Sequence, residues 1–383
     1  MDRVSEGNLN KVLVAMRRNK LSDYHFNWNT GYGYDDSGRE VTEKIFAEVL
    51  GKEDSIVRTQ ITSGTHALSL MLLGLIEPGQ SIVSITGKPY DTLEATFGIK
   101  ETKGINLKTI GAVYHQVDLI NGEFDTYKIS EVLKSSPDYV YIQRSPGYSW
   151  RRHFNVKEID DMIYHIKNTS PKTVVLLDNC YGEFTEFAEP KADVVAGSLI
   201  KNLGGGIALS GGYVAGSAVL IEKIAERLTA PGIGKEIGLT FGQTRQMLQG
   251  LFLAPSVVAG AMKGALLMGE VFEQLGYKVA PKACDSAGHI IQAIELGSKE
   301  KLLKFCEAVQ RISPVNSHVR PVPAPMPGYE DDVIMAAGAF VQGSSIEMSA
   351  DGPVREPYNI YFQGGLCYEH VRIAIKEILE AVC

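Results

Sequence analysis

From about Ile56 to Gly269 short apolar runs alternate with stretches whose apolar residues recur at helical spacing, a rhythm that predicts an α/β domain with a mainly parallel sheet. The runs Ile56-Val57-Arg58-Thr59, Ser81–Ile85, Tyr139–Ile142, Val174–Leu177 and Asp193–Ala196 read as strands bounded by breakers. Helices are expected over 65–75 after Ser63-Gly64, over 91–97 after Lys88-Pro89-Tyr90, and over 156–166. Beyond Gly269 the texture changes. A helical stretch leads to Pro281, then to shorter segments and a proline-rich crossing over 321–327, which predicts a smaller C-terminal α+β domain. The division expected is a segment 1–50, a large domain 51–270 and a small domain 271–383.

Composition adds limits. The 383 residues are 44% hydrophobic and 22% charged, ordinary for a globular chain, and the net charge of -7 is interspersed, so no basic stripe offers itself to nucleic acid. Cys180, Cys284, Cys306, Cys367 and Cys383 lack the paired short spacings of a zinc knuckle or disulfide framework, which points to a reducing, cytoplasmic setting. Residues 1–20 mix charges without an apolar stretch, so neither a secretory leader nor a membrane span is expected. No His, Asp and Glu cluster at ligand spacing suggests a metal.

Candidate chemistry centres on Lys201, which follows Gly197-Ser198-Leu199-Ile200 and precedes Asn202 and Gly204-Gly205-Gly206; Asp178 closes the apolar run Val174–Leu177 upstream. This layout suits pyridoxal 5'-phosphate. A lysine amine forms a Schiff base with the cofactor aldehyde, while a carboxylate at a strand end keeps the pyridine nitrogen protonated. Thr62-Ser63-Gly64-Thr65-His66, between a strand and a helix start, offers free amides and hydroxyls to a phosphate, although the same residues would serve as a plain N-cap. Ser198 is a further phosphate contact, unless it bonds only its own backbone. Tyr90, one of 17 tyrosines, is placed to stack on the pyridine ring. His66 is not marked as a base. Gly204–Gly206 and Gly211-Gly212 carry neither a P-loop lysine nor a dinucleotide fingerprint and suit close passage of backbone near the lysine.

The segments Tyr32-Gly33-Tyr34, Ser63-Gly64-Thr65-His66-Ala67, Gly87–Thr92, Gln143–Tyr148, Asp178–Glu183, Ser198–Asn202 and Arg355-Glu356-Pro357-Tyr358 resemble the methionine γ-lyase-like family often labelled aluminium resistance protein. The likeness runs from about Phe26 to the C-terminus. It implies a fold type I pyridoxal phosphate enzyme, related to the cystathionine synthases and lyases and assembled as a tetramer of paired dimers with shared active sites. On this likeness Lys201 holds the cofactor, Asp178 its ring nitrogen, Tyr90 its ring face, and Ser63, Gly64, Thr65 and Ser198 its phosphate. Tyr34, with Arg39, would reach the neighbouring subunit's phosphate from an N-terminal arm. Tyr148 and Ile200 stand where the better-known cystathionine enzymes carry asparagine and threonine, so their substrate preference does not transfer.

An amino-acid substrate needs its α-carboxylate held, best by a bidentate arginine. Arg355, after Asp351-Gly352-Pro353 in an apolar and aromatic stretch, is expected to do this, unless a neighbouring carboxylate pairs with it; Arg372 reads as a helix-face residue. The expected reaction is Cα deprotonation by Lys201, with its pKa lowered, followed by loss of a γ substituent such as thiolate. Loss of a γ halide, β-elimination from cysteine or cystathionine, and amino transfer stay open, since all use the same lysine and aspartate. A non-catalytic binding protein on this fold would be expected to lack one of them.

Overall fold

The computed structural model describes residues 1–282, 289–326 and 329–382. Cys284, Cys383 and Pro327 of the proline-rich crossing lie outside the described residues. Strands β1 (Asp54–Arg58), β2 (Ser81–Ser84), β3 (Val113–Gln116), β4 (Tyr139–Gln143), β5 (Val174–Asp178), β6 (Val194–Ser198) and β7 (Gly212–Gly216) form one sheet in the order β1-β7-β6-β5-β4-β2-β3. β7 alone runs antiparallel to its neighbours β1 and β6. The remaining strands share one direction, as the alternating pattern requires.

The central strands β4 and β6 are buried at every position, because both faces of a parallel sheet are covered. On one face Val140, Ile142, Val175 and Leu177 pack with residues of the helices Asp2–Arg18, Ser37–Val49, Val156–Thr169 and Thr244–Gln274. On the other, Tyr141, Leu176 and Val214 meet the helices Gly64–Leu75 and Ala218–Leu228. Each burial of a Leu, Ile or Val side chain contributes roughly 1.5–3 kcal/mol, so this two-sided core is the main source of stability.

Helix starts follow their caps. The Ser63 side chain accepts from the His66 amide at 3.0 Å, and Asn155 with Glu158 forms a capping box for Val156–Thr169. Where one helix was expected over 91–97, a 3-10 turn at Asp91–Leu93 runs into a single α-turn, Glu94–Phe97. Residues 1–50 are largely helical and packed on the core, with the short exposed stretch around Tyr32 and Tyr34 between two helices.

Strands β8 (Lys278–Ala280), β9 (Ile291–Glu295), β10 (Val333–Ala336), β11 (Ser349–Pro353) and β12 (Asn359–Gln363) form a second, antiparallel sheet in the order β10-β11-β12-β9-β8. The helices Lys299–Arg311 and Tyr368–Val382 pack against it over a core that includes Phe305, Ile334, Ile360 and Ile378. The helix Thr244–Gln274 leads from one sheet to the other, roughly 46 Å of rod for its 31 residues. By length and apolarity it would also span a membrane, but 61% of its apolar window is buried inside the protein. It is a core helix.

Candidate active site

A cavity of about 310 Å³ opens where the C-terminal ends of β4, β5 and β6 meet the second sheet. Open α/β sheets bind ligands at this end of their strands. Asp178 and Ser198 are the last residues of β5 and β6; Lys201 stands three residues beyond. Ser63, Gly64, Thr65, Tyr90, Asp178, Ser198 and Lys201 all line this one cavity. The fold brings them together across a separation of nearly 140 positions.

Asp178 is buried. Its Oδ1 accepts from the Cys180 amide at 3.0 Å, and Tyr141 donates to Oδ2 at 3.4 Å. Burial pushes this carboxyl above the ordinary range, against the pull of the Cys180 amide and Lys201. A cation set against it would ionise it and be held. The turn that follows is clamped from below: Arg144, 1% exposed, donates to Asn179 Oδ1 at 3.0 Å, to the Gly182 carbonyl at 2.9 Å and to Glu186 at 2.8 Å.

Lys201 Nζ donates to the hydroxyl of Tyr181 and to the Ser344 carbonyl at 3.1 Å, and lies 3.7 Å from the Tyr181 ring centroid. Burial works to lower this amine, but Tyr181, Cys180 and Asp178 outweigh it, so the shift is upward. The lowered pKa expected from sequence is therefore not a property of the chain alone. Tyr181 has φ +68°, a left-handed backbone that few bulky residues adopt and that clusters at functional sites. His289 packs edge-on against it at 6.3 Å and stacks on His153 at 5.1 Å; burial drives both histidines well down.

The candidate phosphate cup lies at the N-terminus of Gly64–Leu75, opposite the end of β6. A Cβ on Gly64 would lie 3.3 Å from Cys180 Sγ and 3.3 Å from Ser198 Cβ, so a side chain would narrow the cup. Thr65 Oγ1 bonds Thr92 Oγ1 at 2.7 Å, and Ser198 Oγ accepts from the Ile200 amide at 3.3 Å. Ser63 and Ser198 thus bond local backbone and line the cavity at once. Free helix amides, a hydroxyl rim, a buried carboxylate and a buried amine fit the phosphate, ring nitrogen and aldehyde of pyridoxal 5'-phosphate.

Two expected residues stand apart. Arg355 is exposed, not in an apolar setting: its charged end pairs with Asp331 at 2.8 Å in an adjoining cleft that shares Tyr148 and Tyr329 with the main cavity. Val354 through Pro357 leave β11 for solvent, which the aromatic neighbours in sequence did not reveal. Tyr34 is 61% exposed and does not line the cavity of its own chain. Arg39 is buried, donating to the carbonyls of Gly33 at 2.5 Å and Glu236 at 3.1 Å, and so ties the arm down. Sequence reasoning missed Tyr181, Tyr329, Asp351 and Tyr361, which also line the cavity. Tyr181 lies within the Asp178–Glu183 segment and had a signal; the others come from the second sheet and its loops and had none.

The fold and the cavity define a fold type I pyridoxal phosphate-dependent enzyme. Against known families, the whole chain, residues 1–383, matches the family described as Methionine gamma-lyase. The chain belongs to that family, a group of pyridoxal phosphate-dependent lyases, and its cofactor is pyridoxal 5'-phosphate. YnbB of Bacillus subtilis is 47% identical, over 100% of this chain and 92% of its own length. A structure from Listeria monocytogenes, assigned provisionally as a cystathionine beta-lyase involved in aluminum resistance, is 46% identical, covers 100% of this chain and 95% of its own, and superposes with a TM-score of 0.97. The Clostridium novyi structure described as a carbon-sulfur lyase involved in aluminum resistance is 45% identical, covers 100% and 91%, and gives 0.95.

Proposed function

We propose that the protein cleaves a carbon–heteroatom bond at Cγ of an amino acid, with a carbon–sulfur bond as the leading case. The observation that carries this is the convergence of Lys201, Asp178, the cup at Ser63–Thr65 and Ser198 on one cavity. When bound, the cofactor supplies an electron-accepting ring for negative charge developing at the substrate Cα. Asp178 holds the ring nitrogen protonated, Tyr90 covers a ring face, and Ser63, Gly64, Thr65 and Ser198 hold the phosphate. Lys201 Nζ takes the Cα proton and moves the Cβ proton that γ-elimination requires. Tyr181, in contact with Nζ, orients the amine between those positions.

Arg355 is the group proposed for the substrate α-carboxylate. Its present partner is a surface ion pair, and such pairs contribute only about 0–1 kcal/mol, so exchanging Asp331 for a substrate carboxylate costs little. The exposed Trp28, Tyr32 and Tyr34 suit an arm laid on a second subunit, with Tyr34 meeting that subunit's phosphate in a tetramer of paired dimers. Cytoplasmic residence suits the free thiols Cys180, Cys306 and Cys367.

A second reading, β-elimination, draws support from the provisional description of the Listeria relative. Products separate them. Incubated with cystathionine, the holoenzyme should release 2-oxobutanoate by γ-elimination; pyruvate would establish the β reaction instead, and a keto acid with the carbon skeleton intact would mean amino transfer. Borohydride reduction should leave the cofactor on the Lys201 peptide, and a label on any other peptide overturns the site.

A further inference from the structure

We propose that the substrate carries a positive charge on its side chain, received by a cage of Tyr148, Tyr329 and Tyr361 closed by the carboxylate of Asp351. This rests on reading the cavity as the amino-acid site. Tyr148 lies 5.4 Å from Tyr329 and 4.9 Å from Tyr361 between ring centroids, with interplanar angles of 41° and 36°. Tyr90, on the cofactor side, meets Tyr148 at 6.2 Å and Tyr329 at 6.3 Å, so the cage adjoins the reacting carbons. Asp351, 7% exposed, projects from β11 into the same cavity and accepts from the Tyr148 hydroxyl.

Among the described residues, no ion pair involves Asp351 and no lysine or arginine sits over the three cage rings. Burial pushes this carboxylate up to about 6 even though the Tyr148 hydroxyl, the charge of Lys201 and a backbone hydrogen bond all pull it down, so it stays costly to keep charged. At neutral pH it is largely ionised and faces the cavity. Aromatic faces carry negative quadrupole potential, so rings and carboxylate attract the same kind of group: an onium ion, sulfonium or ammonium. The neutral thioether of methionine gains only weak sulfur–aromatic contacts from the rings and nothing from the carboxylate. A carboxylate side chain is repelled by Asp351.

The cage hydroxyls point the same way. Burial raises Tyr148, Tyr329 and Tyr361 above the ordinary phenol range, which makes them weak proton donors to a departing thiolate. A sulfonium needs no such donor. Its Cγ–S bond breaks with both electrons passing to sulfur, and a neutral thioether leaves. For S-methylmethionine the balance is substrate cation plus water giving dimethyl sulfide, 2-oxobutanoate, ammonium and one proton.

The test uses the holoenzyme with S-methylmethionine and methionine, and tetramethylammonium as an unreactive probe followed by calorimetry. The expected results are a kcat/KM at least tenfold higher for S-methylmethionine, a ratio cut at least tenfold in Asp351→Asn, and tetramethylammonium binding that survives Tyr329→Phe but not Tyr329→Leu. A purely structural Asp351 would lower both substrates alike and leave the ratio unmoved. That outcome, or a wild-type ratio of one or less, overturns the cage while continued methionine cleavage leaves the lyase standing. Should tetramethylammonium bind with the stated Tyr329 dependence while neither substrate is eliminated, the cage stands and the lyase reading falls. If Asp351→Asn does not fold, the Tyr329 pair decides: equal binding by Phe and Leu variants overturns the proposal.

Discussion

The two sheets contribute to one cavity in different ways. The parallel sheet supplies groups from the ends of its strands and the turns beyond them: Asp178, Ser198, Lys201 and the Ser63–Thr65 cup. The antiparallel sheet supplies Asp351 and Tyr361 from within strands, where side chains alternate between the cavity and the packed core. Turn residues are free to serve chemistry, whereas strand residues must also satisfy packing. On the proposed function the first sheet would set the reaction, and on the proposed cage the second would set what is admitted to it.

That division can be broken. Lys201→Ala should abolish turnover with every substrate alike, by roughly 10³-fold or more, together with the cofactor's lysine-bound absorbance. Turnover above about 1% with any one substrate would show that a group other than Lys201 moves the proton. Glu183 tests the foundations of the same sheet. Fully buried, it accepts from Tyr213 at 2.6 Å, and burial raises it to about 8. The folded chain thus keeps a proton that an unfolded chain releases near pH 4.5, so this contribution to stability is complete below pH 4.5 and is lost as pH rises through about 8. Glu183→Gln should remove about 3–5 kcal/mol of the decline between pH 5 and 9, read from urea midpoints. An unchanged slope would mean the carboxyl is ionised in place. The smallest effect belongs to the turn after β11 in the second sheet: Arg355→Ala should raise KM about tenfold with kcat nearly unchanged. No change in KM would leave Arg355 a surface partner of Asp331.

Much of this was legible in the chain because the chemistry of the first sheet sits on local signals. Ser63 before a helix, Asp178 after an apolar run and Lys201 before three glycines each carry their reason within a few residues. The alternation over 56–269 likewise set the parallel core, and strand ends came within two residues. What sequence hid was tertiary. Tyr181 is forced by a left-handed backbone, Tyr329 and Asp351 arrive from positions more than 120 residues beyond Lys201, and Arg355 turns outward where β11 ends. Nothing in the spacing of 17 tyrosines separates the three of the cage from the rest.

Gly197, in β6 just ahead of the lysine turn, binds several positions to a common fate. A Cβ there would come within 2.7 Å of the Tyr213 hydroxyl and 2.8 Å of Glu183 Oε1. Enlarging any one of the three alone collides with the others, whereas compensating replacements relieve the collision. Descendants of this chain should accordingly change these sites as a linked set or keep all of them, and single-step mutational scans will rate each as intolerant for a reason that belongs to the trio.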